Sequence, residues 1–429
     1  MQIESFKNID KELIRKGFSF LIIRVIGLFA AYGFVYIIAK KFGADSYGLV
    51  SLSFMLFILI GILGRLGLDI HLVKFYSQRD NSSQSGMLYK VLLKAVVFST
   101  VISTLTYLLR FEIANHLFKK PELADYIIWV AYAIPFWTVV LVCAGYLRGR
   151  KQNNWFAFLN NPGRFIFSVL MLIILLGFVD HPMVAIKAHF YGVGILALLA
   201  LIKAVISFDR ISFVSQDNSW KFLKEAFPMM ISSTTLVLLG WLDTFVLGIY
   251  ESSKTVGIYD LSLRIAILTS FVLQAINSIL APKLANSYLN KDMDTFNKLI
   301  SASTKLNFFL TLIIVLAIIL LNDLIFGFFG EEFKSGKNLL IILCLGQLVN
   351  SISGPVAVIL QMTGYQKNYQ NIVLFALLLN IVLNFTLTPI YGAVGAAIAT
   401  VISMSSWNLL GALTIKKKLK INSFYIPFK

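Results

Sequence analysis

The chain has 429 residues, of which 58% are hydrophobic and only 14% are charged, and its mean hydropathy is +0.79. Soluble domains carry about 25% charged residues, so this composition excludes an ordinary soluble protein. The formal net charge is +17. Its lysines and arginines lie in short loops rather than in one patch, which argues against a nucleic-acid partner.

The first seventeen residues, 1–17, are predicted to form an amphipathic helix on the membrane surface. Ile3, Phe6, Ile9 and Leu13 recur at helical spacing among charged residues. We expect no signal peptide, because no small-residue cleavage site follows.

From residue 18 onward the chain is a series of apolar stretches separated by short polar segments. A hydrocarbon core about 30 Å thick needs roughly 20 apolar residues per helix. On this criterion the sequence predicts an all-α integral membrane protein with about twelve spans. The predicted spans are 18–39, 47–66, 91–110, 126–147, 159–179, 187–206, 226–249, 258–281, 303–321, 337–360, 369–388 and 392–414.

The basic residues predict the orientation of these spans. Arg65, Lys74, Arg148 and the segment 416–420 fall on one side of the alternation, where most loop lysines and arginines lie, whereas acidic residues divide evenly. By the positive-inside rule that side is cytoplasmic. Both termini are therefore predicted to be cytoplasmic, with an even number of spans.

Three helix-boundary motifs occur twice, in the same order. The paired segments are 47–53 with 256–262, 148–153 with 363–368, and 191–194 with 391–395. Such a pattern predicts two parallel six-helix bundles related by an axis along the membrane normal. The predicted domains are 18–206, an inter-lobe linker at 207–225, a second bundle at 226–414 and a basic cytoplasmic tail at 415–429.

Four charged residues stand out well inside the predicted spans: Arg24, Arg164, Asp243 and Arg264. Such groups are costly in a bilayer unless they face a partner or a cavity. Asp243 and Arg264 are each about six residues from the outer end of their spans, roughly 9 Å deep. They could form a salt bridge between helices, or a charge pair that opens when an anion or a coupling cation binds.

The two remaining arginines also have two readings each. Arg24 could extend to the inner interface, or its guanidinium could contact a phosphate. Arg164 is a cavity residue if span 5 includes it, and an ordinary inner-loop cation if that span begins later.

Polar amides at helix depth form two pairs with helical spacing. Gln274 and Asn277 are three residues apart, and Asn380 and Asn384 are four apart. Buried amides need hydrogen-bond partners, so these four could join neighbouring helices or line a water-filled cavity.

Enzyme chemistry has little support in this sequence. The four histidines are scattered, and Cys143 and Cys344 lie in apolar stretches without metal-ligand spacing. We expect no enzyme, no resident cofactor and no metal site. A coupling ion, either a proton or Na⁺, is a further expectation that rests on Asp243 alone.

Several segments resemble the Wzx-type polysaccharide (O-antigen) flippases, in the polysaccharide transport family of the multidrug/oligosaccharidyl-lipid/polysaccharide exporter superfamily. They include 243–248 followed by 256–259, the exit at 282–284, and the closing block 380–384, 389–392 and 395–400, which is the most specific. By this resemblance Arg264 and Asp243 match charged cavity positions, and Arg24 matches one more loosely.

The resemblance implies a flippase of undecaprenyl-pyrophosphate-linked oligosaccharide units, such as those of lipopolysaccharide. It implies movement from the inner to the outer leaflet of the bacterial inner membrane, by alternating access through a cationic central cavity. Membrane lipids would surround the protein, and a glycan polymerase and a chain-length regulator would be its partners.

Two other classes remain open at this point. A cation-coupled multidrug extruder of the same superfamily would use acidic cavity residues for cationic drugs, and only Asp243 is suitable. A membrane enzyme acting on lipid-linked sugars would need large outer loops with catalytic residues, and the predicted outer loops are short.

Overall fold

The protein is a multi-pass membrane protein built from α-helices. The computed structural model describes residues 2–77, 85–160, 162–208 and 218–425, and this part of the chain contains no β-strand. Within it, seven helices are long and apolar enough to cross a membrane, or up to nine if each of two bent helix pairs is one span.

The chain divides into two compact units. Unit 1 comprises Met1–Phe42 and Leu49–Thr234. Its core is α4, in which every residue from 137 to 147 is buried. The helices of this unit, some shared with unit 2, are α1 (Gln2–Arg65), α2 (Leu68–Ser77), α3 (Ser85–Leu108), a short π-helix (Glu112–Leu117), α4 (Leu123–Gly149), α5 (Asn153–Asn160), α6 (Pro162–Leu176), α7 (Val184–Ile206) and α8 (Ser219–Tyr250).

Unit 2 comprises Gly43–Gly48 and Thr235–Lys429. The short segment from α1 therefore packs with helices that follow it by some two hundred residues. The helices that begin in this unit are α9 (Ser253–Ile267), α10 (Ser270–Leu289), α11 (Met293–Leu320), α12 (Asn322–Phe329), a 3₁₀ segment (Glu331–Gly336), α13 (Lys337–Ser353), α14 (Val356–Met362) and α15 (Gln366–Leu419).

Two glycines interrupt the longest helices, Gly43 in a predicted loop and Gly392 at the first residue of the predicted span 392–414. Gly43 in α1 has φ 78°, and Gly392 in α15 has φ 57°. Glycine adopts positive φ without the steric penalty of a Cβ atom. Each of these long helices is therefore two helical segments, which corresponds to the separate spans predicted on either side of residues 43 and 392.

Several predicted boundaries differ from the structure. The predicted span 159–179 corresponds to the end of α5, whose last residue is Asn160, and to α6, which begins at Pro162, a residue suited to the first turn of a helix. The predicted span 258–281 is bent by 41° between α9 and α10 and continues through Pro282 to Leu289. The first helical residue of α8 is Ser219, inside the predicted linker 207–225, of which 209–217 lie outside the described residues.

The N-terminal segment is helical, whereas the described chain after α15 is a non-helical tail that is partly buried. The backbone of the predicted amphipathic segment is helical from Gln2 and continuous with α1, while its side chains lie outside the description. After α15 ends, Ile421 and Ser423 are buried, and the Tyr425 amide donates to the Ile352 carbonyl at 3.0 Å. The described part of the C-terminal tail therefore packs against unit 2.

Candidate functional site

The carboxylate of Asp243, on α8 in unit 2, is buried and accepts three side-chain hydrogen bonds. Asn384 Nδ2 donates to its Oδ1 at 2.8 Å, and Tyr259 Oη donates to its Oδ2 at 2.8 Å. Thr400 Oγ1 also donates to Oδ2. The side chain is only 3% exposed, so three neutral donors stabilise a carboxylate inside the bilayer region.

Asn380 adds an unsatisfied acceptor to this group. Its side chain is 1% exposed and contacts the Asp243 carboxylate. Its Nδ2 donates to Ser403 Oγ at 3.0 Å, but its Oδ1 is buried with no hydrogen-bond partner. A buried carbonyl oxygen without a donor costs about 1–3 kcal/mol. A bound cation or a proton on the neighbouring carboxylate would satisfy it.

The second charged group of unit 2 joins Arg264, Asp260 and Tyr47. Arg264 Nε donates to Asp260 Oδ2 at 2.5 Å, one turn away on α9, and Tyr47 Oη donates to the same oxygen. The Arg264 side chain is 21% exposed and that of Asp260 is 5% exposed. The predicted pairing of Arg264 with Asp243 is therefore wrong. An i,i+4 carboxylate is the nearer partner, and the oxygens of Asp243 accept from neutral donors.

Arg164, in unit 1, is surrounded by aromatic rings. It lies in the first turn of α6 and is only 6% exposed. Its guanidinium carbon is 4.5 Å from the ring centre of Phe165, 5.3 Å from that of Trp137 and 5.7 Å from that of Phe57. These are cation–π distances. The residue is thus a helix residue rather than a loop cation, and in this conformation it is enclosed by side chains.

The remaining predicted site residues have varied environments. Arg24 is exposed on the unit 1 part of α1. In unit 2, Gln274 is exposed and its Nε2 lies 3.4 Å from Ser270 Oγ, while Asn277 Oδ1 is buried without a hydrogen-bond partner. That these three side chains line one cavity remains a prediction.

Five contributing residues were not among the predicted site residues: Tyr47, Tyr259, Asp260, Thr400 and Ser403. The first four occur in the repeated or family-like segments, where the pattern assigns them no chemical role. A tyrosine or threonine in an apolar helix is unremarkable by itself. Only the packing of α8, α9 and α15 places Tyr259 and Thr400 against Asp243.

The arrangement differs from a conventional multi-carboxylate metal centre. Within the described residues, no group of three histidine, cysteine, aspartate or glutamate side chains could hold a metal ion. The Asp243 group instead offers oxygens from one carboxylate, two amides and two hydroxyls. Oxygen ligands of this kind suit hard cations, and one negative charge matches a monovalent ion.

Comparison with protein-family models gives two matches. The model described as "polysaccharide biosynthesis protein" matches residues 13–288, which is more than half of the chain. The model described as MatE matches residues 228–386.

Three curated relatives from archaea are similar in sequence. An uncharacterised membrane protein of Methanocaldococcus jannaschii is 23% identical over 90% of this chain and 93% of its own length. Two proteins of Haloferax volcanii, named a probable low-salt glycan biosynthesis flippase and a probable flippase, are 26% and 28% identical. These alignments cover 54% and 55% of this chain and only 49% and 51% of the relatives.

Solved structures share the fold. A lipid II flippase in an inward-closed conformation superposes with a TM-score of 0.77 and 19% identity, over 94% of this chain and 87% of the other. An inward-facing multidrug resistance transporter superposes with a TM-score of 0.74 and 16% identity, over 94% and 98%. At these identities the likeness concerns the fold alone.

Proposed function

We propose that this chain, which belongs to the polysaccharide biosynthesis protein family within the multidrug/oligosaccharidyl-lipid/polysaccharide exporter superfamily, is a flippase for lipid-linked oligosaccharides. Members of this family are transporters rather than enzymes. The cargo would be an oligosaccharide on a polyprenyl pyrophosphate, undecaprenyl in a bacterial inner membrane. It would move from the inner to the outer leaflet by alternating access. A glycan polymerase and a chain-length regulator would act on the delivered unit.

The proposed layout is two six-helix bundles with both termini in the cytoplasm. Within the described residues, the glycine breaks in α1 and α15, the two bent helix pairs and the apolar segment Thr234–Tyr250 together allow twelve spans. The excess of basic residues in the predicted inner loops supports the orientation.

The observation that carries the flippase proposal is the sign of the accessible charge. In α8 and α9 the two carboxylates, Asp243 and Asp260, are 3% exposed and already accept hydrogen bonds. The guanidinium of Arg264 is partly exposed, and Arg24 in unit 1 is exposed. Arginine binds phosphate oxygens through charge-assisted hydrogen bonds, so the exposed charges favour an anionic pyrophosphate.

We further propose that a monovalent cation, H⁺ or Na⁺, binds at Asp243 and drives transport. Asn380 Oδ1, buried and without a donor, supports this proposal. Na⁺ could be coordinated by that oxygen together with the oxygens of Asp243 and Thr400, whereas a proton on Asp243 could be donated to it. A membrane ion gradient would then supply the energy for cycling.

The alternative is a cation-coupled multidrug extruder of the same superfamily. The MatE match over 228–386 and the likeness in fold to a multidrug transporter support this alternative. A cationic drug, however, would need an accessible carboxylate. The oxygens of Asp243 and Asp260 already accept bonds from neighbouring donors, so the anionic cargo is preferred.

Reconstitution tests the two functions directly. The purified protein would be placed in vesicles with a fluorescent polyprenyl-pyrophosphate oligosaccharide, and the leaflet distribution followed with a membrane-impermeant quencher. A rate above that of protein-free vesicles is expected, with no transport of a cationic dye. Transport of the dye alone would establish the multidrug function.

A further inference from the structure

Unit 1 contains a second candidate site, separate from the residues proposed for transport. A cavity of about 500 Å³ opens between α2, the end of α4 and α5. This volume is in the range of small-ligand sites. Ser77 is the last residue of α2, Arg148 lies in the last turn of α4, and Asn160 is the last residue of α5. Ser77 and Arg148 fall in predicted inner loops, near the lipid head groups on the predicted cytoplasmic side.

Two exposed cations line this cavity. Neither Lys74 nor Arg148 forms an ion pair with any described carboxylate, and the Arg148 guanidinium lies 4.5 Å from the centre of the Phe156 ring. The ring contact orients the planar guanidinium. With the Asn160 amide nearby, these side chains form a set of donors suited to a phosphate group. The Ser77 hydroxyl also lines the cavity and already donates to the Lys74 carbonyl at 2.9 Å.

A carboxylate in the same lining is offset by an arginine. Asp69 Oδ2 accepts from Arg65 Nη1 at 2.9 Å, while its Oδ1 is buried and out of reach of a ligand. Burial raises the pKa of Asp69, and the Arg65 guanidinium counteracts part of that rise. Because Arg65 offsets the charge of Asp69, Lys74 and Arg148 leave the lining positive.

The other wall of the cavity is apolar and rigid. Ile70, Val73 and Leu141 line it, and Ile70 is 36% exposed at the surface. A Cβ atom at Gly145 on α4 would collide with the carbonyl oxygen of Asp69, so the backbones of α2 and α4 touch. The cavity therefore has fixed walls, and an exposed apolar edge along which an acyl or prenyl chain could lie.

We propose that this cavity binds an anionic lipid through the phosphate of its head group. The phosphate contacts Lys74 and Arg148, and the hydrocarbon chain follows Ile70. Basic pockets at the cytoplasmic ends of membrane helices are suited to anionic lipids. Two lipids carry this chemistry: a glycerophospholipid and a polyprenyl-phosphate sugar.

Native mass spectrometry of the full-length protein in detergent tests the site. Phosphatidylglycerol is titrated, with phosphatidylcholine as the lipid without net charge. The Lys74→Gln/Arg148→Gln variant should bind phosphatidylglycerol at least tenfold more weakly, because both charge-assisted contacts to the phosphate are lost. Both side chains are exposed, so the fold should persist.

The matched control is Arg150→Gln/Lys151→Gln, which removes the same charge from the same helix end without touching the cavity. Its affinity should stay within twofold of the parent. Equal weakening in both variants would mean diffuse attraction to basic loops and would overturn the proposal. A Phe156→Leu variant keeps all charges and should weaken binding a few-fold through loss of the ring contact.

Competition distinguishes the sources of the phosphate. Displacement of phosphatidylglycerol by a polyprenyl-phosphate sugar would support the same site with the carrier lipid as occupant. Resistance to it would support a glycerophospholipid. Displacement by inorganic pyrophosphate at the same concentration, or equal binding of phosphatidylcholine, would overturn the assignment to such a lipid.

Discussion

Gly48 and Gly257 meet backbone to backbone in unit 2. A Cβ atom on Gly257 would lie 3.0 Å from the backbone nitrogen of Gly48, and one on Gly48 would lie 3.1 Å from that of Gly257. Each would also collide with a carbonyl oxygen four residues before its partner, at Ser253 and Ala44. The two glycines are 209 residues apart, as are Ala44 and Ser253. Equivalent residues of the proposed repeat thus make reciprocal contacts.

This contact predicts that alanine at either glycine destabilises unit 2. Since a methyl group would force two backbones apart, Gly48→Ala and Gly257→Ala should each cost about 1–3 kcal/mol. Cys344 is buried in unit 2 and Cys143 in unit 1. In a Cys143→Ala background, thermal labelling of Cys344 with a thiol-reactive dye reports the unfolding of unit 2.

The matched control is Gly240→Ala, because a Cβ atom at Gly240 meets nothing within 4 Å. In that helix alanine should be neutral or stabilise by about 0.5–1 kcal/mol. Unchanged labelling temperatures in both contact variants would show that the helices can separate at little cost, contrary to this prediction.

The repeat pattern predicted more of the fold than any single span did. The same offset of 209 relates Gly43, where α1 is broken, to Ser252, the N-cap of α9. Both mark the start of a helix, one by positive φ and the other by a side-chain cap. Composition could not predict the bend between α9 and α10 or the continuation through Pro282, because these depend on neighbouring helices.

Charge and polarity are conspicuous in an apolar helix, and they indicate Asp243, Asn380 and Asn384 as candidate site residues. The structure brings these three side chains together, and their role in binding substrate stays a prediction. Asp260 is the third residue of the predicted span 258–281, so by position it resembles an acidic residue of the preceding loop. The partner of Arg264 was therefore misassigned, and a one-turn spacing along α9 would have indicated it.

Arg264 should be required for transport of the pyrophosphate-linked cargo. Loss of a charge-assisted phosphate contact costs about 1.5–3 kcal/mol, so Arg264→Ala should slow flipping at least tenfold in vesicles. Arg264→Lys retains the charge without the planar guanidinium and should be partly active. In unit 1, Arg24→Lys is likewise expected to be partly active.

The control for Arg264 is Arg110→Ala, which also removes one arginine charge. Arg110 lies over the Tyr107 and Phe111 rings near the end of α3 and should be dispensable. All variants must be matched for amount in the membrane. Normal flipping by Arg264→Ala would remove this residue from the mechanism.

Cation binding at Asp243 should depend on the unsatisfied oxygen of Asn380. Na⁺ at a hundred times its dissociation constant would stabilise unit 2 by about 2.7 kcal/mol. Thermal labelling of Cys344 measures this, with choline replacing Na⁺ at equal ionic strength as the reference. Asn380→Ala should abolish this effect while the three donors to Asp243 stay in place. Asn290→Ala, at an exposed helix end, should retain it.

A parent protein insensitive to Na⁺ would exclude Na⁺ and leave the proton. Transport in vesicles should then follow an imposed pH gradient and be lost in Asp243→Asn, which carries no titratable carboxyl. Transport by Asp243→Asn that responds to either gradient would contradict coupling at this residue.

Arg164 should stabilise unit 1 through the rings that surround it. Arg164→Ala removes the cation–π contacts and leaves a cavity among Phe57, Trp137 and Phe165, with an expected cost of about 2–4 kcal/mol. Labelling of Cys143 in a Cys344→Ala background measures it, and Arg110→Ala, which opens no buried cavity, should change stability by less than about 0.5 kcal/mol. A gain in stability would mean that burying the charge costs more than its ring contacts return. In that case the guanidinium has a role other than packing. The flipping rate of Arg164→Ala in vesicles then tests whether that role is in transport.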